Sequence, residues 1–213
     1  MTMKYFIRTG WVLLMLLSLF IFYAHALPYF NFSSSAYPDD LKPFTGVLMV
    51  HICTSLVALL MGPLQFIKSL RKKYTRFHRI TGRIYMGCVL IGGTSGLYLS
   101  IFHLILAAHY VTVGTGLSGL SIAWLTTSGM GLRSILHKNF QQHREWMIRS
   151  YTVTCAFTTF RFLFAIIENV LPVEKIDIYN ICAWSCWAVP LLIVEVILQS
   201  KKQVLLFMRE ASL

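Results

Sequence analysis

Six apolar stretches, at about 10–30, 44–68, 83–109, 114–136, 147–170 and 179–199, alternate with short polar segments along the chain. A run of about 20 apolar residues is what one helix needs to cross the hydrocarbon core of a bilayer. Because lipid offers no partner for an open backbone, such runs are helical. The pattern therefore predicts an all-α, polytopic membrane protein with six transmembrane helices. The polar segments are too short for a second domain, so residues 1–213 read as a single transmembrane domain. Spans two to five, residues 44–170, are expected to form a four-helix core, with 10–30 and 179–199 as peripheral helices.

Composition agrees: 56% of the 213 residues are hydrophobic and the mean hydropathy is +0.65, more apolar surface than a soluble domain can bury. The formal charge of +11 would suit a nucleic-acid partner, but the basic residues flank apolar spans and line no soluble face. Of 19 Lys and Arg, all but Lys42, Lys175 and Arg161 fall on the segments that share one side of the bilayer. Asp39, Asp40, Glu168, Glu174 and Asp177 lie on or near the other. The positive-inside rule then places both termini in the cytoplasm. Lys4, Arg8 and the run ending at Ala24-His25-Ala26 imitate a cleavable signal peptide, but the run is long for one and is expected to be retained. The five cysteines, Cys53, Cys88, Cys155, Cys182 and Cys186, all fall within spans and give no disulfide framework. Cys182 and Cys186 share a helix face, where packing as small apolar residues is expected over holding a soft metal.

Local breakers refine the picture. Pro28, Ser33-Ser34-Ser35 and Pro38-Asp39-Asp40 mark a polar outer loop; Asn31-Phe32-Ser33 has the glycosylation pattern, a frequent chance match, and carries no weight. Pro63 removes a backbone donor near the end of span two, so a kink is expected after Gly62, with Gln65 placed to engage a freed polar group. Gly92, Gly96 and Ser100 form a small-residue face on span three that another helix can approach closely. Trp146, Trp184 and Trp187 fall at span ends, where indole rings serve as interfacial anchors.

The polar residues inside the spans carry the candidate chemistry. Two helix hairpins end in similar strings, His78-Arg79 followed by Arg83 and His143-Arg144 followed by Arg149, as a duplicated hairpin would. Two imidazoles at matching depth are the chemistry of axial haem ligation, with Arg79, Arg83 and Arg144 as partners for propionates. The alternative is anchoring: Arg and His at a cytoplasmic boundary bind lipid phosphates. His51 and Arg161 come out at comparable depth in spans two and five and are expected to meet as an outer polar site, with Glu168 reaching toward the charge. Such a cluster suits an anionic or quinone-like ligand, or a structural clamp. His103 and His109 lie toward the same end; Glu195 is expected to snorkel or pair near Lys201 and Lys202. His25 and His137 carry no assigned role.

His51 with Gly62-Pro63-Leu64-Gln65-Phe66, His78-Arg79 with Gly82-Arg83 and Tyr85, and His143-Arg144 with Trp146-Met147 and Arg149-Ser150-Tyr151 form one composite pattern. Over roughly residues 45–165 it resembles a family of bacterial membrane proteins catalogued as domain of unknown function 2306, which implies a fold and no activity. More distantly, it is similar to the ascorbate-reducible transmembrane cytochromes b, whose four-helix core has a histidine near the start of each helix, alternating outer and inner. By that likeness His51, His78 and His143 match the first, second and fourth ligands. The third falls where only His109, or His103 before it, is available.

The expected function is that of a b-type haem or quinone-associated electron-transfer protein of a bacterial cytoplasmic membrane. His78 and His143 would hold the iron of haem b, and a quinone or a redox protein would be the partner. Its rivals are a non-enzymatic assembly factor for a respiratory complex and a small-molecule transporter. No Ser-His-Asp set, H-E-x-x-H pair or phosphate-cradling glycine loop supports soluble enzyme chemistry. The charge asymmetry makes a direct prediction: reporter fusions after Leu70, Lys138 and Leu213 report cytoplasm, and fusions near Asp40, Tyr110 and Lys175 report the outside. Two or more reversed reporters would overturn the topology.

Overall fold

A computed structural model describes the backbone of residues 2–31, 37 and 39–210, and it is helical almost throughout. The serines of the expected outer loop, with Phe32 and Pro38, lie outside the described residues. In chain order the helices are α1 (Thr2–His25), α2 (Thr45–Phe66), the short α3 (Lys68–Lys73), α4 (Thr75–Tyr98), α5 (Val111–Leu136), α6 (Phe140–Thr154), α7 (Ala156–Val170) and α8 (Lys175–Glu210). A π-helical segment, Leu99–Ala107, extends α4.

Among the described residues three helical stretches, Lys42–Phe66, Thr75–Ala107 and Lys175–Val204, are long and apolar enough to cross a membrane. A fourth crossing is made if α6 and α7, bent by 44° at Cys155, count as one broken span. Val12–His25 is a shorter apolar helix. The sequence pattern treats 147–170 as one straight span, whereas the chain turns there, with Cys155 as the hinge. α5 is long but rich in Gly, Ser and Thr. Several of those residues, among them Gly116, Ser121, Thr127 and Ser128, are buried, so much of its low apolarity reflects a central place among other helices.

α2 packs along α4, and α5 along α6, giving the four-helix core. α8 closes against α5 and α6, while α1 touches the bundle lightly through α7, where Thr158 donates to Ser18 Oγ at 2.9 Å. The small face of α4 is packed against protein as expected: a Cβ on Gly92 would meet Thr54, Ser55 and Trp124, and one on Gly96 would meet His51. The turn from α5 to α6 is made by Lys138 at φ 58, in the left-handed region. Asn139 then caps α6, its Oδ1 accepting from Gln142 N at 3.0 Å.

The proline of α2 is compensated in a way the sequence alone does not reveal. Pro63 has no N–H to give the Leu59 carbonyl one turn earlier. Tyr151 of α6 supplies the missing donor, its hydroxyl lying 3.1 Å from Leu59 O. The ring reaches that carbonyl only because residue 62 has no side chain: a Cβ there would lie 2.0 Å from Tyr151 Cε2. Gln65, expected to fill this role, reaches α4 instead, where its amide meets Thr81 Oγ1 at 2.7 Å.

A second buried network joins α4, α5 and α6. The hydroxyl of Tyr85, itself fully buried, lies 2.7 Å from Ser150 Oγ and 2.8 Å from Thr154 Oγ1. Trp124 Nε1 donates to Thr154 Oγ1 at 2.8 Å, and Ser128 Oγ sits 2.7 Å from Ser150 Oγ. Each polar atom thereby finds a partner away from water.

Tyr151→Phe keeps the ring and strands the Leu59 carbonyl, and is expected to cost about 1–3 kcal/mol in unfolding experiments in detergent. In a Pro63→Ala background, where a backbone N–H returns to Leu59 O, the same change is expected to cost clearly less. Equal costs in both backgrounds would refute the compensation.

Candidate functional site

Histidines at both ends of the core are held by the same device. His51 of α2 places Nδ1 2.8 Å from the carbonyl of Gly92 on α4, and His143 of α6 places Nδ1 2.8 Å from the carbonyl of Gly131 on α5. A carbonyl only accepts, so each Nδ1 carries a proton, and in the neutral ring Nε2 keeps its lone pair. This outer-shell anchoring is the kind that fixes a ligating histidine, and it serves equally to dock two helices.

His78 stands at the start of α4 and His143 at the start of α6. The Nδ1 of His78 is governed by Gln65. With the amide nitrogen turned toward His78, it donates to Nδ1 at 3.0 Å while Oε1 meets Thr81 Oγ1 at 2.7 Å and Gly82 N at 3.3 Å. That arrangement satisfies the amide and puts the His78 proton on Nε2. With the amide reversed, Oε1 faces Nδ1 and favours a proton there, which frees Nε2. Gln65 orientation and His78 tautomer are thus coupled. Arg79, Arg83 and Arg144 are exposed at the same end.

The expected outer site is not assembled as the sequence suggests. His51 is engaged with Gly92. Arg161 lies instead over the rings of Phe157 and Phe160, at 5.7 and 5.8 Å, and near enough to act electrostatically on His25 at the end of α1. Its buried Nε finds no partner among the described residues. The bend at Cys155 contributes to the difference, because it turns α7 away from the line of α6. Glu168 pairs with Lys175 at 3.3 Å. His103 bonds Asp40 at 3.0 Å and packs on Phe44. His109 is exposed in the turn before α5, at φ 58. Nearby, Lys42 donates to Asp39 and holds its carboxyl below the ordinary range.

A polar site that the sequence reading does not assemble lies between α5, α6 and α8, at the basic end of the bundle. Arg149, 7% exposed, donates from Nε to Glu195 Oε2 at 2.7 Å and pairs through a terminal nitrogen at 2.7 Å. Its guanidinium also lies 4.7 Å from the Trp146 ring. Gln199 Nε2 donates to Glu195 Oε1 at 2.6 Å, and Lys202 pairs with Glu145 at 2.7 Å. Glu195 thus takes Arg149 as its partner, and Lys202 serves Glu145. Glu195 stands out in the sequence as a charge in a span, whereas Arg149 reads there as one of the basic residues flanking a span; what the sequence lacks is the helix rotation that makes them face. These groups line a cleft of about 590 Å³, walled on the other side by Trp187, Ala188, Leu191 and Leu192. Trp187, expected as a boundary anchor, is inserted against α5, where Nε1 donates to Gly116 O at 3.1 Å. Cys182 and Cys186 are buried as packing residues. Among the described residues no group of three or more His, Cys, Asp or Glu is placed to hold a metal ion.

Apolar helices joined by hydrogen bonds and ion pairs from helix to helix define an integral membrane protein of the helical-bundle class. The model of the family described as predicted membrane protein (DUF2306) matches residues 48–198, and the chain belongs to that family. Neither the curated proteins nor the solved structures contain a significant match.

The ion pair makes an asymmetric prediction. Glu195→Leu strands a guanidinium that is almost fully buried and is expected to cost about 3–5 kcal/mol. Arg149→Leu strands a carboxylate whose side chain is 40% exposed, and a smaller cost of roughly 1–3 kcal/mol is expected. The double Leu variant is expected to recover part of the loss. A coupling energy below about 0.5 kcal/mol in that cycle would show the pair to be incidental.

Proposed function

We propose that the protein is a six-span electron-transfer protein of the bacterial cytoplasmic membrane, with both termini cytoplasmic and a b-type haem held between His78 and His143. The observation that supports this reading is His143, whose ring is held by the Gly131 carbonyl through Nδ1 so that Nε2 of the neutral imidazole is open; His78 joins it once Gln65 leaves the orientation that satisfies its own amide. A haem iron held by two imidazoles takes up and releases one electron. The chain's own residues would prepare that site. His143 offers Nε2 while Gly131 holds its ring, and His78 offers Nε2 when the Gln65 oxygen accepts its Nδ1 proton. Arg79, Arg83 and Arg144, exposed at this end, are free to pair with propionate carboxylates. The same pair recurs at the cytoplasmic start of two outward-running helices, as the distant likeness to transmembrane cytochromes b implies.

Protein purified from haem-replete cells is expected to show a reducible low-spin b-type spectrum, abolished or strongly shifted by His78→Ala or His143→Ala. Gln65→Ala is expected to weaken haem retention by about 10- to 100-fold, the range for outer-shell partners of a metal ligand. A colourless protein that takes up no added hemin would overturn this reading in favour of an assembly factor or a transporter.

A further inference from the structure

The cleft between α6 and α8 has no part in the histidine site, and its chemistry points to a ligand of its own. We propose that it binds the headgroup of a lipid-soluble quinone, entering sideways from the bilayer. Its volume of about 590 Å³ is in the range of small-molecule sites. Its four charges cancel, because Arg149 faces Glu195 and Lys202 faces Glu145. A phosphate would meet two carboxylates there and an amine two cations, so a neutral headgroup is favoured.

The uncommitted polar atoms are mainly donors. Gln199 gives one amide hydrogen to Glu195 and keeps a second, and Lys202 has three hydrogens for one carboxylate partner. Quinone carbonyls only accept, which matches that surplus. The opposite wall, Ala188, Leu191, Leu192 and the Trp187 ring, offers apolar area to a flat ring. Leu192 is 65% exposed and marks a mouth on the face that α8 turns outward, where a tail would continue into lipid. Binding of this kind requires no haem at His78 and His143, so either idea can fail without the other.

The test uses the full chain in phosphatidylcholine nanodiscs, titrated with decylubiquinone and followed by tryptophan fluorescence. Saturable quenching is expected. Gln199→Leu, at an exposed position, should weaken it, and Ala188→Phe, which fills the cleft beside Trp187, should weaken it by about tenfold or more. Leu192→Trp places a new fluorophore at the exposed mouth, where folding is little disturbed, and its emission should be quenched with the same midpoint. Three results would each overturn the proposal: quenching that rises linearly without saturation, saturable quenching unchanged by every variant, and loss of saturable quenching in phosphatidylglycerol nanodiscs. The last would assign the cleft to a phospholipid headgroup.

Discussion

The carbonyl of Leu59 is the point on which the packing of the core turns. A proline four residues later removes its donor, and a bare carbonyl among apolar helices is a defect that lipid cannot repair. Tyr151 repairs it from another helix, and Gly62 is what lets the ring come close enough. Leu59, Gly62 and Pro63 lie within five positions of α2, and Tyr151, 92 residues from Leu59, completes with them one device that sets α6 against α2. Once α6 is so placed, Ser150, the residue before Tyr151, reaches Tyr85 and Ser128, and Thr154 reaches Trp124.

The histidines depend on that placement. The bond from His143 to Gly131 forms because α6 runs beside α5, and His51 meets Gly92 because α2 and α4 are in close contact where glycines line α4. A backbone carbonyl that already serves its own helix has a second lone pair, so both bonds form without breaking a helix ladder. Each histidine is therefore both a helix clamp and an imidazole with one free nitrogen. The histidine and cleft sites draw on the same short segment of α6, His143 on one face and Gln142, Glu145 and Arg149 toward α8. Positions three or four apart share a face of a helix, which puts Gln142, Glu145 and Arg149 in one stripe.

Much of this architecture was legible in the sequence. The apolar runs gave the helices, and the glycines of span three marked a face packed on protein. Glu195 was visible as a charge needing a partner, while Arg149 read as a boundary cation. Two things were hidden. One was pairing, because periodicity gives a residue's face but not which helix stands opposite. Glu195 therefore suggested the lysines in its own sequence neighbourhood, while its partner came from α6. The other was departure from straight helices. Depth counting at 1.5 Å per residue assumes a straight axis, and the hinge at Cys155 and the π-helical stretch at Leu99–Ala107 violate that assumption.

Arg149 and Arg161 have different surroundings for two reasons. They lie twelve residues apart on what the sequence reads as one span, so even a straight helix would set them about 120° apart around its axis, and the bend of 44° at Cys155 separates them further. Before the bend, Arg149 meets a carboxylate, an aromatic ring and a cleft. Beyond it, Arg161 lies across two phenylalanine rings, and its Nε has no acceptor among the described residues. The rings stabilise the guanidinium by about 0.5–2 kcal/mol each, less than a carboxylate would at similar burial. The charge before the bend is thus neutralised between helices and borders the cleft, while the one beyond it is carried on aromatic faces, near enough to the end of α1 to act on His25.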